Sequence, residues 1–270
     1  IIVCLMSIGL SPVVSVIGFG QIGMVLAALC LVDLDQAVRR ARSTGVLIGL
    51  AAAVKLTPGA FALTLLAAGR RRAVVVSAAT CLAAWGLAAL VLPDDTRDWL
   101  GVVRDVDRIG PVDGAVNTSW HGLWLLLLGD SPATTVVWIA VSVATLAIAC
   151  VRSGRLLRAG HSLTAATVMG LATVVASPVS WLHHAVWVVP LLGIVLDDAR
   201  SLRRWVTTVA LFAVFSEPMA GWQFLKPGTS QLTGVLDWFW VNLGILVMAA
   251  AVVLLRPGPG TRPLAPTAAR

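Results

Sequence analysis

Residues 45–69 read GVLIGLAAAVKLTPGAFALTLLAAG, and Lys55 is the single charged residue among them. Arg39, Arg40 and Arg42 precede the stretch; Arg70, Arg71 and Arg72 follow it. About 20 apolar residues cross a bilayer, so the length permits one span. One span would put the two arginine clusters on opposite sides, yet arginine in short loops favours the cytoplasmic side. A helical hairpin folding back at KLTPG keeps both clusters on one side. Pro58 disfavours helix at Thr57 and opens the backbone, which is tolerated at membrane depth only inside protein or beside a polar cavity. The hairpin is the expectation, with Lys55 at depth. The alternative is a single span in which Lys55 snorkels or pairs internally.

The rest of the chain supports a membrane setting. Of 270 residues, 58% are apolar and 12% charged, about half the charged share of a soluble domain. The mean hydropathy is +0.91. The net charge of +7 comes from clustered arginines, with no basic face interleaved with stacking aromatics, so nucleic acid is not an expected partner. Cys4, Cys30, Cys81 and Cys150 lie singly in apolar runs and read as small core residues. The N-terminus, IIVCLMSIGL, reads as the middle of an apolar segment, and a fragment lacking upstream helices is expected.

Arginine sets the sidedness. Three further clusters, Arg152/Arg155/Arg158, Arg200/Arg203/Arg204 and Arg256/Arg262/Arg270, join the first two on the predicted cytoplasmic side. Arg97, Arg104 and Arg108 instead share a loop with Asp94, Asp95, Asp98, Asp105, Asp107 and Asp113, which is placed outside. The apolar runs then alternate. Residues 18–35 cross inward, 73–92 outward, 133–151 inward, 160–176 outward, 181–199 inward, 205–217 outward and 234–255 inward. Several are shorter than a full span, so broken or internal helices are expected. The fold class is all-α: a polytopic transmembrane bundle over 1–255 with re-entrant helices, and a disordered cytoplasmic tail over 256–270.

The exterior side then gathers the 93–132 loop, the corner SPVSWLHHAVW at 177–187, the 217–233 loop with Lys226, and the junction before residue 21. His121, His183, His184, Asn117 and Ser119 all fall there. A histidine pair facing lipid is costly. Either the pair ends a helix at headgroup level beside Trp181 and Trp187, or one ring serves a ligand, since neighbours on a helix point about 100° apart. No ligand spacing suggests a metal, and no glycine-rich nucleotide loop occurs.

Four stretches in order carry a resemblance: GQIG (20–23), GVLIGLAAAVKLTPGAFALTLLAAGRRRA (45–73), RIGPVDGAVNTSWHGL (108–123) and SPVSWLHHAVWVVP (177–190). Together they resemble glycosyltransferase family 87, the bacterial polyprenyl-phosphate-mannose-dependent alpha-(1→2)-mannosyltransferases. The combination of K-x-x-P with S-W-x-H-H is the specific part. The chain departs from the family pattern at Gly23, where an asparagine is usual, at Thr118, where glutamine is usual, and at Leu182, often aspartate.

The resemblance implies a C-type membrane glycosyltransferase fold in a bacterial plasma membrane, with an active site facing the exterior. It implies transfer of mannose from a polyprenyl-phosphate donor to a hydroxyl of a mannosylated lipid or glycan, with inversion and without a cofactor or metal. Lys55 and one of His183 and His184 would meet the donor phosphate, with Arg108 and Lys226 as further cations. Asn117 and Ser119 would contact sugar hydroxyls, and Gln21 would line the same cavity. The family's catalytic carboxylate is expected before Ile1, with Asp94, Asp95 and Asp98 as alternatives. The competing readings are transfer of another lipid-linked sugar such as arabinofuranose, and a transporter or lipid-binding subunit.

Overall fold

The computed structural model describes residues 2–102, 117–197, 201–216 and 235–258. Among them there is no strand, only an isolated bridge between Leu10 and Ser216. The helices are α1 (Ile2–Ile8), α2 (Ser11–Gly18), α3 (Gly23–Val38), α4 (Val46–Val54), α5 (Phe61–Ala67), α6 (Arg71–Val91) and α7 (Pro93–Val102). They continue with α8 (Trp120–Leu128), α9 (Pro132–Arg158), α10 (Ser162–Ala176), α11 (Val188–Leu196), α12 (Leu202–Phe215) and α13 (Val235–Leu254). The fold is an all-α membrane bundle. Among the described residues α6 and α9 are long and apolar enough to cross a membrane singly.

The described arginine clusters collect at one end. Arg152, near the end of α9, donates to Val252 O and Leu255 O at the end of α13. Arg158 donates to Ala67 O at the end of α5. Ser162, at the start of α10, donates to Asp35 near the end of α3. Arg40 and Arg70 line one concavity at that same end.

Residues 45–69 therefore form the hairpin. α4 leaves the arginine end beside α6: Gly45 lies against Ala73, Gly49 against Ser77, and Trp85 Nε1 donates to Ala53 O over 3.0 Å. α5 returns along α9, where Thr64 and Ser153 share a 2.8 Å hydroxyl hydrogen bond. Small residues allow this closeness. A Cβ on Gly49 would sit 2.5 Å from Ser77 O, and backbone approach of this kind drives helix association in lipid. The start of α4 has no side-chain cap of its own. Asp33 of α3 supplies it, accepting from Gly45 N and Ile48 N at 2.8 Å each. That buried carboxylate satisfies donors that an apolar helix start would otherwise leave orphaned.

The described parts of the remaining runs fall on helices, with two differences. Residues 181–199 begin as a 3-10 turn over Leu182–Trp187 and form α-helix only in α11. Residues 18–35 are not a straight span from their first residue: α2 and α3 meet at 116°. Gly18 ends α2, Gly20 turns with φ 60°, and the chain re-enters a helix at Gly23. Only one of the cysteines matches the core reading fully. Cys30 is buried, Cys81 and Cys150 are partly buried, and Cys4 is exposed, because α1 buries none of its residues. The expected tail lies outside the described residues beyond 258.

α10 forms the centre. Thirteen of its fifteen residues are buried, and Ala, Thr and Val dominate the sequence SLTAATVMGLATVVA. Trp187 lies flat against Gly170, where a Cβ would come within 2.1 Å of the indole. Phe61 of α5 packs on the same indole, with ring centroids 5.2 Å apart. This packing brings the hairpin break and the 177–187 corner together.

Candidate active site

The cleft is built on two interruptions of helix. At the first, α4 stops at Val54 and Lys55 is extended (φ −145°, ψ 132°) before a 3-10 turn over Thr57–Ala60. The break falls two residues earlier than the rule for residues preceding proline predicts. In a continuous helix the ring of Pro58 would strike the carbonyl four residues back, that of Val54. Near the start of the next turn proline needs no N–H and fits. Lys55 is therefore released from helix where α4 ends.

The second interruption is Ser177–Trp187, between α10 and α11, and its later part is a 3-10 turn at Leu182–Trp187. Its backbone groups cannot all be satisfied by regular helix, and the 117–121 segment satisfies those of Pro178 and Ser180. Pro178 O accepts from Asn117 Nδ2 at 3.0 Å and His121 Nδ1 at 3.1 Å, with Ser119 Oγ at 3.5 Å. Ser180 N donates to Asn117 Oδ1 at 2.9 Å. Ser180 O accepts from Thr118 N at 2.6 Å and Thr118 Oγ1 at 2.8 Å. His121 also stacks on Trp138, with centroids 4.5 Å apart. Ser119 in turn caps α8 through Gly122 N.

Between these breaks lies a cleft of about 630 Å³ including its open mouth. Gln21, Lys55, His183 and His184 line it together, with Thr57, Thr173, Ser177 and Ser180 as further polar groups and Phe61 and Trp187 as apolar wall. No Asp or Glu among the described residues lines it. Lys55 has no carboxylate partner among them; the two ion pairs found are Arg39–Asp35 and Arg97–Asp94. A partly buried ammonium without a counter-charge is costly, and the cleft is electrostatically fitted to an anion.

The two histidines differ. Trp181 N donates to His184 Nδ1 at 3.2 Å, so the neutral ring carries its proton on Nε2. His184 therefore offers the cleft a hydrogen-bond donor. His183 is 7% exposed and sits edge-on to Phe19, Trp181 and His184, with centroids 5.8, 5.7 and 4.4 Å away. Among the described residues no three His, Cys, Asp or Glu side chains converge as metal ligands.

The profile of glycosyltransferase family 87 matches residues 1–178. The chain belongs to glycosyltransferase family 87. It is 33% identical, over 96% of its own length and 62% of the relative's, to a polyprenol-phosphate-mannose-dependent alpha-(1-2)-phosphatidylinositol mannoside mannosyltransferase of Mycobacterium tuberculosis. A Mycolicibacterium smegmatis protein of the same description is 38% identical over 74% of the chain and 47% of that protein. A pentamannoside mannosyltransferase of that organism is 36% identical over 72% and 47%. The chain thus spans roughly half to three-fifths of the curated relatives it matches. No solved structure matches it.

Of the three positions where this family 87 chain departs from the pattern, Gly23 lines the cleft and Thr118 and Leu182 do not. Gly23 opens α3, with its Cβ position 3.6 Å from His183 O. Thr118 is spent on Ser180 O, and Leu182 is buried. Asn117 and Ser119 are 2% and 0% exposed and do not line the cleft; they knit the corner. Asp94, Asp95 and Asp98 lie on exposed α7, away from the cleft lining. Arg108 and Lys226 lie outside the described residues. Sequence reasoning gave no role to Asp33, His121, Ser180 or Gly170. Each acts through a partner distant in sequence, and Asp33 and Gly170 stand outside every quoted motif.

Proposed function

We propose that this protein is a membrane mannosyltransferase that moves mannose from a polyprenyl-phosphate donor to a hydroxyl of a mannosylated lipid or glycan, at the exterior face of a bacterial plasma membrane. The observation that carries the reading is the convergence of Lys55, His184 and Gln21 on a cleft that no Asp or Glu among the described residues lines, in a chain of family 87. The cleft lies at the end of the bundle away from the arginine clusters, which supports an exterior placement under the positive-inside rule.

In this reading the donor phosphate sits against Lys55 Nζ and His184 Nε2–H. The acceptor hydroxyl attacks the anomeric carbon from the side opposite the phosphate, so configuration inverts. The new glycosidic bond forms as the bond from the anomeric carbon to the phosphate oxygen breaks. The hydroxyl proton passes to a carboxylate, which lies outside the described residues. Charge gathers on the departing phosphate, and Lys55 with His184 stabilise it. Asn117 and Ser119 serve by holding the corner that presents His184, and a sugar contact is not needed for that role. Gln21 is placed to meet a sugar or phosphate oxygen. Arg108 is a further cation for the donor.

The test supplies polyprenyl-phosphate [14C]mannose to inverted and right-side-out membranes carrying the full-length protein. Transfer into acceptor lipid is expected in right-side-out membranes and is lost in Lys55→Ala. Equal transfer by Lys55→Ala, or transfer confined to inverted membranes, overturns the assignment.

A further inference from the structure

At the opposite end of the bundle a second concavity collects arginine from two turns. α3 ends in a turn at Arg40 (φ 57°), and α5 ends in a turn at Gly69 (φ 77°). Both helices run towards this end, so the turns face each other, and Arg40, Arg70, Arg71 and Arg72 line the space between them with Thr44. It encloses about 640 Å³ including its open side. None of these arginines has a carboxylate partner among the described residues. The nearby acids are already used: Asp33 holds Gly45 N and Ile48 N, and Asp35 pairs with Arg39.

Three features point to an anion. Arg70 Nε is buried with no hydrogen-bond partner, which is costly for a charged donor. Burial, and then the charge of Arg40, push the Arg70 guanidinium below its usual pKa; a guanidinium does not relieve this by losing its proton at neutral pH. The N-terminus of α6, a helix of 21 residues, has Arg70 in its cap position and no side-chain cap. Its free N–H groups and dipole favour negative charge at the same place. Positive-inside orientation explains arginine on this side; it does not explain two clusters folded into one concavity around an unpartnered buried Nε.

We propose that Arg40, Arg70, Arg71 and Arg72 with the α6 N-terminus form a phosphate site at the arginine end, distinct from the transferase cleft. Its ligand is a phosphomonoester or phosphodiester group, from an anionic phospholipid headgroup at the membrane surface or from free phosphate. The guanidinium forks hold the phosphate oxygens. The site does not depend on the transferase reading.

The test places the full-length protein in nanodiscs of phosphatidylcholine with or without phosphatidylglycerol, and reads co-purifying lipid by native mass spectrometry. Arg40→Gln/Arg72→Gln changes two exposed side chains, and Arg70→Gln is a second variant; Arg203→Gln, in another cluster, is the control. For a lipid source, wild type and control retain phosphatidylglycerol, and both site variants lose at least about tenfold in retention. For a free source, inorganic phosphate raises the melting temperature of wild type in pure phosphatidylcholine, and the site variants do not respond. Equal lipid retention by variants and wild type, with no phosphate response in any of them, overturns the proposal.

Discussion

The breaks at 55–60 and at 177–187 face each other across one cleft, yet they are made in different ways. The first is local. Pro58 ends α4 by its own geometry, and among the described residues the hydrogen bond from Trp85 to Ala53 O is the one long-range side-chain bond to the last turn of α4. The second is tertiary. Pro178 and Ser180 are held by Asn117, Thr118, Ser119 and His121, some sixty residues away. A local break is cheap to specify and places one cation. A tertiary corner costs a dedicated segment, but fixes the orientation of two histidines. The cleft thus has one self-made wall and one borrowed wall.

The comparison is broken hardest at Lys55. Lys55→Ala is expected to lower mannose transfer by about 10²-fold or more with an unchanged melting temperature, measured side by side in detergent; a matching fall in stability would make Lys55 structural. Gly170→Leu comes next. Its side chain must displace the Trp187 indole that joins the two breaks, at about 3 kcal/mol, and a thermal melt alongside transfer assays should show both falling. Asn117→Ala leaves Ser180 N without its acceptor and removes one donor from Pro178 O, at about 2 kcal/mol. It is expected to lower the melting temperature and transfer together, whereas a loss of transfer alone would speak for a direct sugar contact. Pro58→Ala should do least, under about 1 kcal/mol, since Lys55 and the tertiary frame remain. If cysteine accessibility at position 56 then drops as α4 extends, the local origin of that break is established.

Much of the bundle was legible because its rules are one-dimensional. Arginine clusters marked one end, apolar runs marked helices, and the conflict between Arg42 and Arg70 called for a hairpin. The K-x-x-P and S-W-x-H-H motifs pointed to Lys55 and the histidine pair, and the cleft holds all three. The resemblance implies sugar contacts for Asn117 and Ser119, while the structure shows both bonded to the 177–187 corner, because motifs report which residues matter without reporting what they touch. Asp33 is not legible as a cap, because an acid near the end of an apolar run looks like a helix end. Its role appears only when Gly45, twelve residues on, folds back to it.

The sequence by itself determined the membrane bundle, the shared end of the arginines, the family and the cation released by Pro58, since each follows from local composition or spacing. Tertiary structure alone decided that the corner hangs on residues 117–121, that Trp187 rests on Gly170, and that two arginine turns close into one concavity. These are contacts between segments whose separation along the chain carries no periodic signal. Their physical cause is the need to satisfy backbone groups and fill space in a bundle where little water reaches.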